Sequence, residues 1–292
     1  MFTASTSEFV SLRGIKMHFR HWGDPSAPKL FMVHGWMDTS ASFQFMVDNF
    51  KKDWHVIAPD LRGFGLTESP HVESYWYPDY IADIDAILDH YAPDQKVNIL
   101  GHSLGANVVM MYAGVCPERV EKVINLEGFG LPISQTKNAP LRMRQWLDEL
   151  KKTPVLKTYA SEEEVAARLQ KTNPRLNDER AHFLAKLWSK QNDSGQWELL
   201  ADPAHKLPSP LLYHAEEVME CWKNITAPVL WMEATETEIW RLFGSKETAR
   251  TQIDERLQCV KQLQAEMISD AGHMMHHDQP ELLASLIETF LE

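Results

Sequence analysis

Apolar residues in this chain come in short unbroken runs, separated by turn residues and by stretches with a helical beat. The runs KLFMV (29–33), WHVIA (54–58), VNIL (97–100), VINL (123–126), VLWM (229–232) and EMI (266–268) show no polar alternation, which suits strands covered on both faces. Ahead of them, 9–12 and 16–21 flank Arg13, Gly14 and Ile15 and read as an antiparallel hairpin at a sheet edge, with the glycine permitting the turn. Helical patterns lie between the runs. In 78–91, Ile81, Ile84, Ile87, Leu88 and Tyr91 recur at helical spacing; 105–116 and 280–291 follow, the last opening on Pro280 at a first-turn position. Alternating strands and helices predict an α/β fold with a mostly parallel eight-stranded sheet flanked by helices.

The alternation stops between about 131 and 222, where there is no convincing strand, several helical stretches and many charges. The expected organisation is a core formed by 1–130 and 223–292, with 131–222 inserted as a helical cap. Within the cap, Ser161 followed by three glutamates is a capping-box start to a helix through Ala166 and Leu169, and Asp178 is expected to cap a second with Phe183, Leu184 and Leu187. Trp146, Trp188, Trp197 and Trp222 either roof an apolar pocket or fill the cap's own core.

The chain has 292 residues, 44% of them hydrophobic, enough for one sizeable core. Its net charge of −12 is spread through mixed-sign segments, which argues against nucleic acid or anionic membranes as partners. Cys116, Cys221 and Cys259 are far apart and odd in number, so neither a disulfide framework nor a zinc site is expected and the thiols read as buried and free. No basic start with an apolar segment behind it opens the chain, and no run nears the roughly twenty apolar residues of a membrane span. A cytoplasmic protein without metal or cofactor is the expectation, and nothing here chooses between monomer and homodimer.

The chemistry centres on Gly101-His-Ser-Leu-Gly105. A G-x-S-x-G sequence between a strand and a helix is the setting of a nucleophile elbow, in which Ser103 presents its hydroxyl at the strand's carboxyl end. A serine needs a base within hydrogen-bond reach. Of the thirteen histidines, His273 follows the last predicted strand and so opens on the same sheet edge, whereas His276 and His277 read as surface residues and His102 as a local packing or hydrogen-bonding group. Leu104, after the serine, and Trp36, in the loop after an early strand, are the candidate oxyanion donors. Two carboxylates compete to orient His273. Glu127 directly ends an apolar strand, where a carboxylate needs partners, and is preferred; Glu236, in the loop after 229–232, is the alternative.

With HGWMDTS (34–40), APDLRGFGLTES (58–69), GHSLGAN (101–107), PERVEKVINLEGFG (117–130) and DAGHMMHHDQPE (270–281), the chain resembles the α/β-hydrolase fold superfamily over nearly its whole length, and most of all its serine hydrolase-like subgroup. The resemblance implies Ser103 as nucleophile, His273 as base, and Trp36 and Leu104 as oxyanion donors. It departs from the pattern in having no aspartate after the seventh strand; Glu127 with Pro132 is instead similar to the sixth-strand acid of haloalkane dehalogenases. Those enzymes and epoxide hydrolases use an aspartate nucleophile, so Ser103 argues against both reactions. The expected function is a cofactor-independent carboxylesterase acting on a small-molecule ester through an acyl-enzyme. The rivals are a cofactor-free dioxygenase of the same fold with histidine as base, and a binding protein that keeps the fold.

Overall fold

The computed structural model describes residues 2–211 and 213–292. Among these, β1 (Ser5–Leu12), β2 (Ile15–Trp22), β3 (Lys29–Val33), β4 (His55–Pro59), β5 (Val97–His102) and β6 (Val120–Leu126) precede β7 (Thr158–Tyr159), β8 (Ser189–Gln191) and β9 (Trp197–Leu199), and β10 (Val229–Ala234) and β11 (Leu263–Ile268) complete the strands. The main sheet has the order β1-β2-β4-β3-β5-β6-β10-β11. β1 and β2 form the predicted hairpin, joined by Arg13 and Gly14, both at left-handed φ, the backbone of a two-residue turn matched to strand twist. β2 meets β4 antiparallel, and from β4 to β11 all pairings are parallel.

The unbroken runs have a direct structural cause. Alternate residues of each inner strand enter opposite cores: Phe31, Ile57, Ile99, Val123 and Trp231 pack on one side, and Met32, Val56, Leu100, Ile124 and Met232 on the other. The helices are α1 (Gln44–Val47), α2 (Tyr77–Tyr91), α3 (Leu104–Val115), α4 (Ala139–Leu150), α5 (Glu162–Thr172), α6 (Asp178–Trp188), α7 (Ala215–Lys223), α8 (Lys246–Leu257), α9 (Met275–Asp278) and α10 (Pro280–Leu291). Residues of α2, α3, α7 and α8 cover the first side, and those of α1, α9 and α10 the second. Both faces are therefore dry, as the sequence pattern requires.

Between β6 and β10 the helices α4 to α6 accompany a three-stranded sheet, β7-β9-β8, where no strand was expected. Strands of two or three residues such as Ser189–Gln191 are too short to carry a period. α5, α6 and this sheet share a core of Val165, Leu169, Leu184, Trp188 and Leu199, with Phe45 from α1 inserted. Ser161 does cap α5, accepting from the Glu164 N–H, but α6 is capped by Asn177, not Asp178. Trp222 is wholly buried beside Trp231, beneath the main sheet, so it roofs no pocket. The three cysteines are free but only half-buried.

Strand order reverses at β3: the chain runs outward to β4, then returns to place β5 on β3's other side. Such a switch opens a crevice beyond the carboxyl ends of the two strands. Val33 is level with Gly101, and His102 with Leu126, so the loops after β3, β5 and β6 leave the sheet side by side.

Candidate active site

Ser103 sits between β5 and α3 with φ 52° and ψ −113°, a strained conformation for a non-glycine residue, typically held at a cost of about 1–3 kcal/mol. Its neighbours explain how the turn is tolerated. A Cβ on Gly105 would fall 2.1 Å from the Val33 carbonyl oxygen, and one on Gly101 2.4 Å from the Ala106 nitrogen. Only with both side chains missing can α3 start this close to β3 and to the end of β5. The Ser103 N–H is anchored on the Leu126 carbonyl at 2.9 Å, which fixes the serine against the end of β6.

From that position the Ser103 Oγ lies 2.9 Å from His273 Nε2, and His273 Nδ1 lies 2.7 Å from Glu127 Oε2. A carboxylate only accepts, so the Nδ1 carries the proton and Nε2 offers its lone pair to the serine hydroxyl. Glu127 is 1% exposed, yet its carboxylate is fully engaged. Oε1 accepts from the Ala234 N–H at 2.8 Å, and Oε2 also accepts from the Thr237 hydroxyl at 2.7 Å. Glu127 too has left-handed φ, 54°. Its backbone and its burial are both expensive for an isolated carboxylate, and three donors compensate.

The structure does not bring Glu236 to this cluster. Its carboxylate is half-exposed and pairs with Arg175 of the segment between α5 and α6. Thr237 is a partner that sequence reasoning missed, although a threonine one residue beyond the competing glutamate was available as a signal. Its hydroxyl also accepts from the Ile239 N–H at 3.3 Å, which leaves its own hydrogen free to point at Glu127.

The loop after β3 closes the other side. A Cβ on Gly35 would be 3.3 Å from the Ser103 Cβ, so the backbone of this loop passes directly over the serine. Buried His34 holds it: Nδ1–H donates to the Gly35 carbonyl at 2.7 Å, and Nε2 accepts from the Leu61 N–H at 2.9 Å. Among the described residues neither the Trp36 nor the Leu104 N–H donates to a backbone acceptor. The Leu104 N–H is also the first of α3, where the helix dipole adds positive potential. The Trp36 side chain is 54% exposed and is no part of the core.

Behind His273 lies a group of buried imidazoles. His102 Nε2–H donates to the His273 carbonyl at 2.8 Å, a local role as expected. His276 and His277, expected at the surface, are instead buried on α9, each with Nε2 2.8 Å from the Ser42 hydroxyl. Burial pushes His34, His102 and His276 down from their ordinary pKa, and His277 down to about 3. These groups stay neutral in the fold, whereas the unfolded chain protonates them below about pH 6.5. Their contribution to stability is full above that value and is lost progressively as the pH falls below it, for His277 down toward about 3. Thermal unfolding should therefore drop steadily from pH 6.5 to 4.5; a constant Tm over that range would contradict the assignment.

The segment between β6 and β10 is docked on these same loops. Arg180 of α6 donates to the His277 carbonyl at 2.6 Å, and Asn173 donates to Asp278 at 2.7 Å. His205 stacks between Phe64 and Tyr75 at 3.7 and 3.6 Å. A cleft of about 400 Å³ lined by Ile133, Ser134, Gln135, Asn138 and Arg142 contains none of the residues around Ser103.

Residues 28–280 match the family model described as alpha/beta hydrolase fold. The chain belongs to the alpha/beta hydrolase family. Within that family it is 25% identical over 277 residues to a serine hydrolase-like protein of Danio rerio, covering 93% of this chain and 83% of that protein. It is 26% identical to serine hydrolase-like protein 2 of Homo sapiens, with 93% and 89% covered. Among solved structures, the thioesterase domain from the curacin biosynthetic pathway superposes with a TM-score of 0.82 at 24% identity, covering 98% of this chain and 99% of that one; a likeness at that identity bears on the fold. The family resemblance drawn from the sequence holds, and this alpha/beta hydrolase is a hydrolase by its family and relatives. Among the described residues no helix is long and apolar enough to cross a membrane.

Proposed function

We propose that the protein is a serine hydrolase that cleaves small or medium carboxylic esters through an acyl-enzyme, without a cofactor. The observation that carries this reading is the continuous hydrogen-bonded line from Glu127 through His273 to Ser103. Glu127 holds the imidazole in the Nδ1–H tautomer, His273 Nε2 takes the Ser103 proton, and Oγ attacks the substrate carbonyl. The Trp36 and Leu104 N–H groups receive the oxyanion, worth on the order of 3 kcal/mol per donor. His273 then protonates the leaving alcohol, and water repeats the sequence to release the acid. The serine hydrolase-like relatives support the nucleophile, and the thioesterase neighbour names one kind of acyl transfer that this fold carries out. Segment 131–222 acts in this reading as the cap that shapes the acyl and alcohol sites.

A screen of p-nitrophenyl acetate and butyrate beside thioester, lactone and amide substrates tests the reaction class, with a fluorophosphonate probe reporting the nucleophile. Turnover of the esters and a probe adduct mapped to Ser103 are expected. Turnover confined to thioesters or amides would move the substrate class, and an adduct elsewhere would remove Ser103 from its role.

A further inference from the structure

The buried group behind His273 contains three polar atoms that the relay does not use. Asp38 Oδ2, His102 Nδ1 and His276 Nδ1 lie within 4.8 Å of one another. None has a hydrogen-bond partner in the protein, and their residues are only 4%, 2% and 0% exposed. Gathering three such atoms together is costly unless something binds between them, because each has given up its hydrogen bonds to water and received none in return.

The opposite faces of these groups are already committed. His102 Nε2 faces the His273 carbonyl, which can only accept, so that nitrogen carries the proton and Nδ1 presents a bare lone pair. His276 Nε2 is held by the Ser42 hydroxyl. Asp38 Oδ1 accepts from the Thr39 N–H at 2.6 Å, leaving Oδ2 to point inward. An imidazole with one nitrogen anchored on a carbonyl or hydroxyl and the other free is the arrangement of a preoriented metal ligand. Space is kept as well: a Cβ on Gly35 would lie 3.0 Å from His102 Nδ1, so only glycine leaves that face open.

We propose that Asp38, His102 and His276 form a binding site for one first-row divalent transition-metal ion, of the Zn²⁺ or Co²⁺ kind. Two imidazoles and one carboxylate form a donor set for such ions rather than for Mg²⁺ or Ca²⁺, which take oxygen ligands. The ligands come from the loop after β3, the end of β5 and α9, and the site does not depend on the reaction assigned to Ser103. An ion there would also hold the His102 ring that supports the His273 backbone. That consequence for turnover rests on the hydrolase reading, so the test reads binding directly.

Untagged protein stripped with EDTA is titrated with Co²⁺, followed by visible absorption, and with Zn²⁺, followed by calorimetry. One equivalent should bind. Asp38→Asn and His276→Gln should each weaken it by more than about a hundredfold, since even loss of an outer-sphere partner costs 10–100-fold. His273→Ala, whose backbone carbonyl remains, should retain the Co²⁺ spectrum. Circular dichroism and melting confirm folding, and His276→Gln decides the matter if Asp38→Asn does not fold. Absence of saturable binding would mean that an ordered water serves the three atoms and would overturn the proposal. Binding lost in His273→Ala but kept in Asp38→Asn and His276→Gln would overturn it too, by placing the ion at Ser103.

Discussion

Ser103→Ala is expected to lower kcat for ester hydrolysis at least about a thousandfold and to leave the melting temperature nearly unchanged. The size follows from what remains. His273 and Glu127 keep each other's hydrogen bond, and the Trp36 and Leu104 N–H groups proposed to receive the oxyanion are untouched, yet no oxygen is present to attack. What should survive is the attack of water assisted by those proposed donors, which in serine hydrolases retains about 10³–10⁴-fold over the uncatalysed rate. The fold should not notice, because Ser103 is placed by its N–H on Leu126 and by the close approaches at Gly101 and Gly105, none of which involves the hydroxyl. Steady-state rates on the best p-nitrophenyl ester, with a melting curve for each protein, make the comparison. Equal rates in the two proteins would remove Ser103 as the nucleophile and favour a binding protein with adventitious turnover.

How far the sequence could be read depended on how strongly burial marks it. The inner strands were legible because each is dry on both faces, which forces runs such as Leu30-Phe31-Met32-Val33 with nothing polar between. β11 was seen only at its end, since its first residues lie on the sheet edge, where Gln264 and Ala265 are exposed. The small sheet β7-β9-β8 left no trace, because pairs and triplets such as Thr158–Tyr159 and Ser189–Gln191 carry no period. His276 and His277 misled because α9 is a single turn, too short for a pattern to separate its buried face from an exposed one. Asp38 joins His102 and His276 only through the packing of a loop, a strand end and a helix far apart in sequence, so no spacing announces that cluster. Ser103 and His273 could be chosen from topology alone, each following a strand that ends on the same edge.

The acid could not be chosen that way, because both glutamates end strands on that edge and only side-chain direction separates them. Met232 is level with Leu126 in the pairing of β10 with β6, which carries the Ala234 N–H to the Glu127 carboxylate. The turn that follows bonds the Glu236 N–H to the Ala271 carbonyl at 3.0 Å and directs the Thr237 hydroxyl inward, while the Glu236 side chain leaves for Arg175. Glu127→Gln should therefore lower kcat by about 10³–10⁴-fold, the loss known when a relay carboxylate becomes an amide. An amide in that position has one oxygen and one nitrogen. With the oxygen toward His273, its NH₂ meets the Ala234 N–H, two donors face to face in a buried site. With the NH₂ toward His273, Nδ1 must accept, the proton moves to Nε2, and the imidazole can no longer take a proton from Ser103. Either arrangement abolishes the base or strains the loop that carries it. Glu236→Gln removes only a pair near the surface, where screening leaves little to lose, and kcat should stay within about twofold. Parallel kcat values for the two variants, with fluorophosphonate labelling rates as a check on Ser103 alone, give the answer: the reverse order would transfer the acid's role to Glu236 and require the β10 loop to turn its glutamate inward when substrate binds.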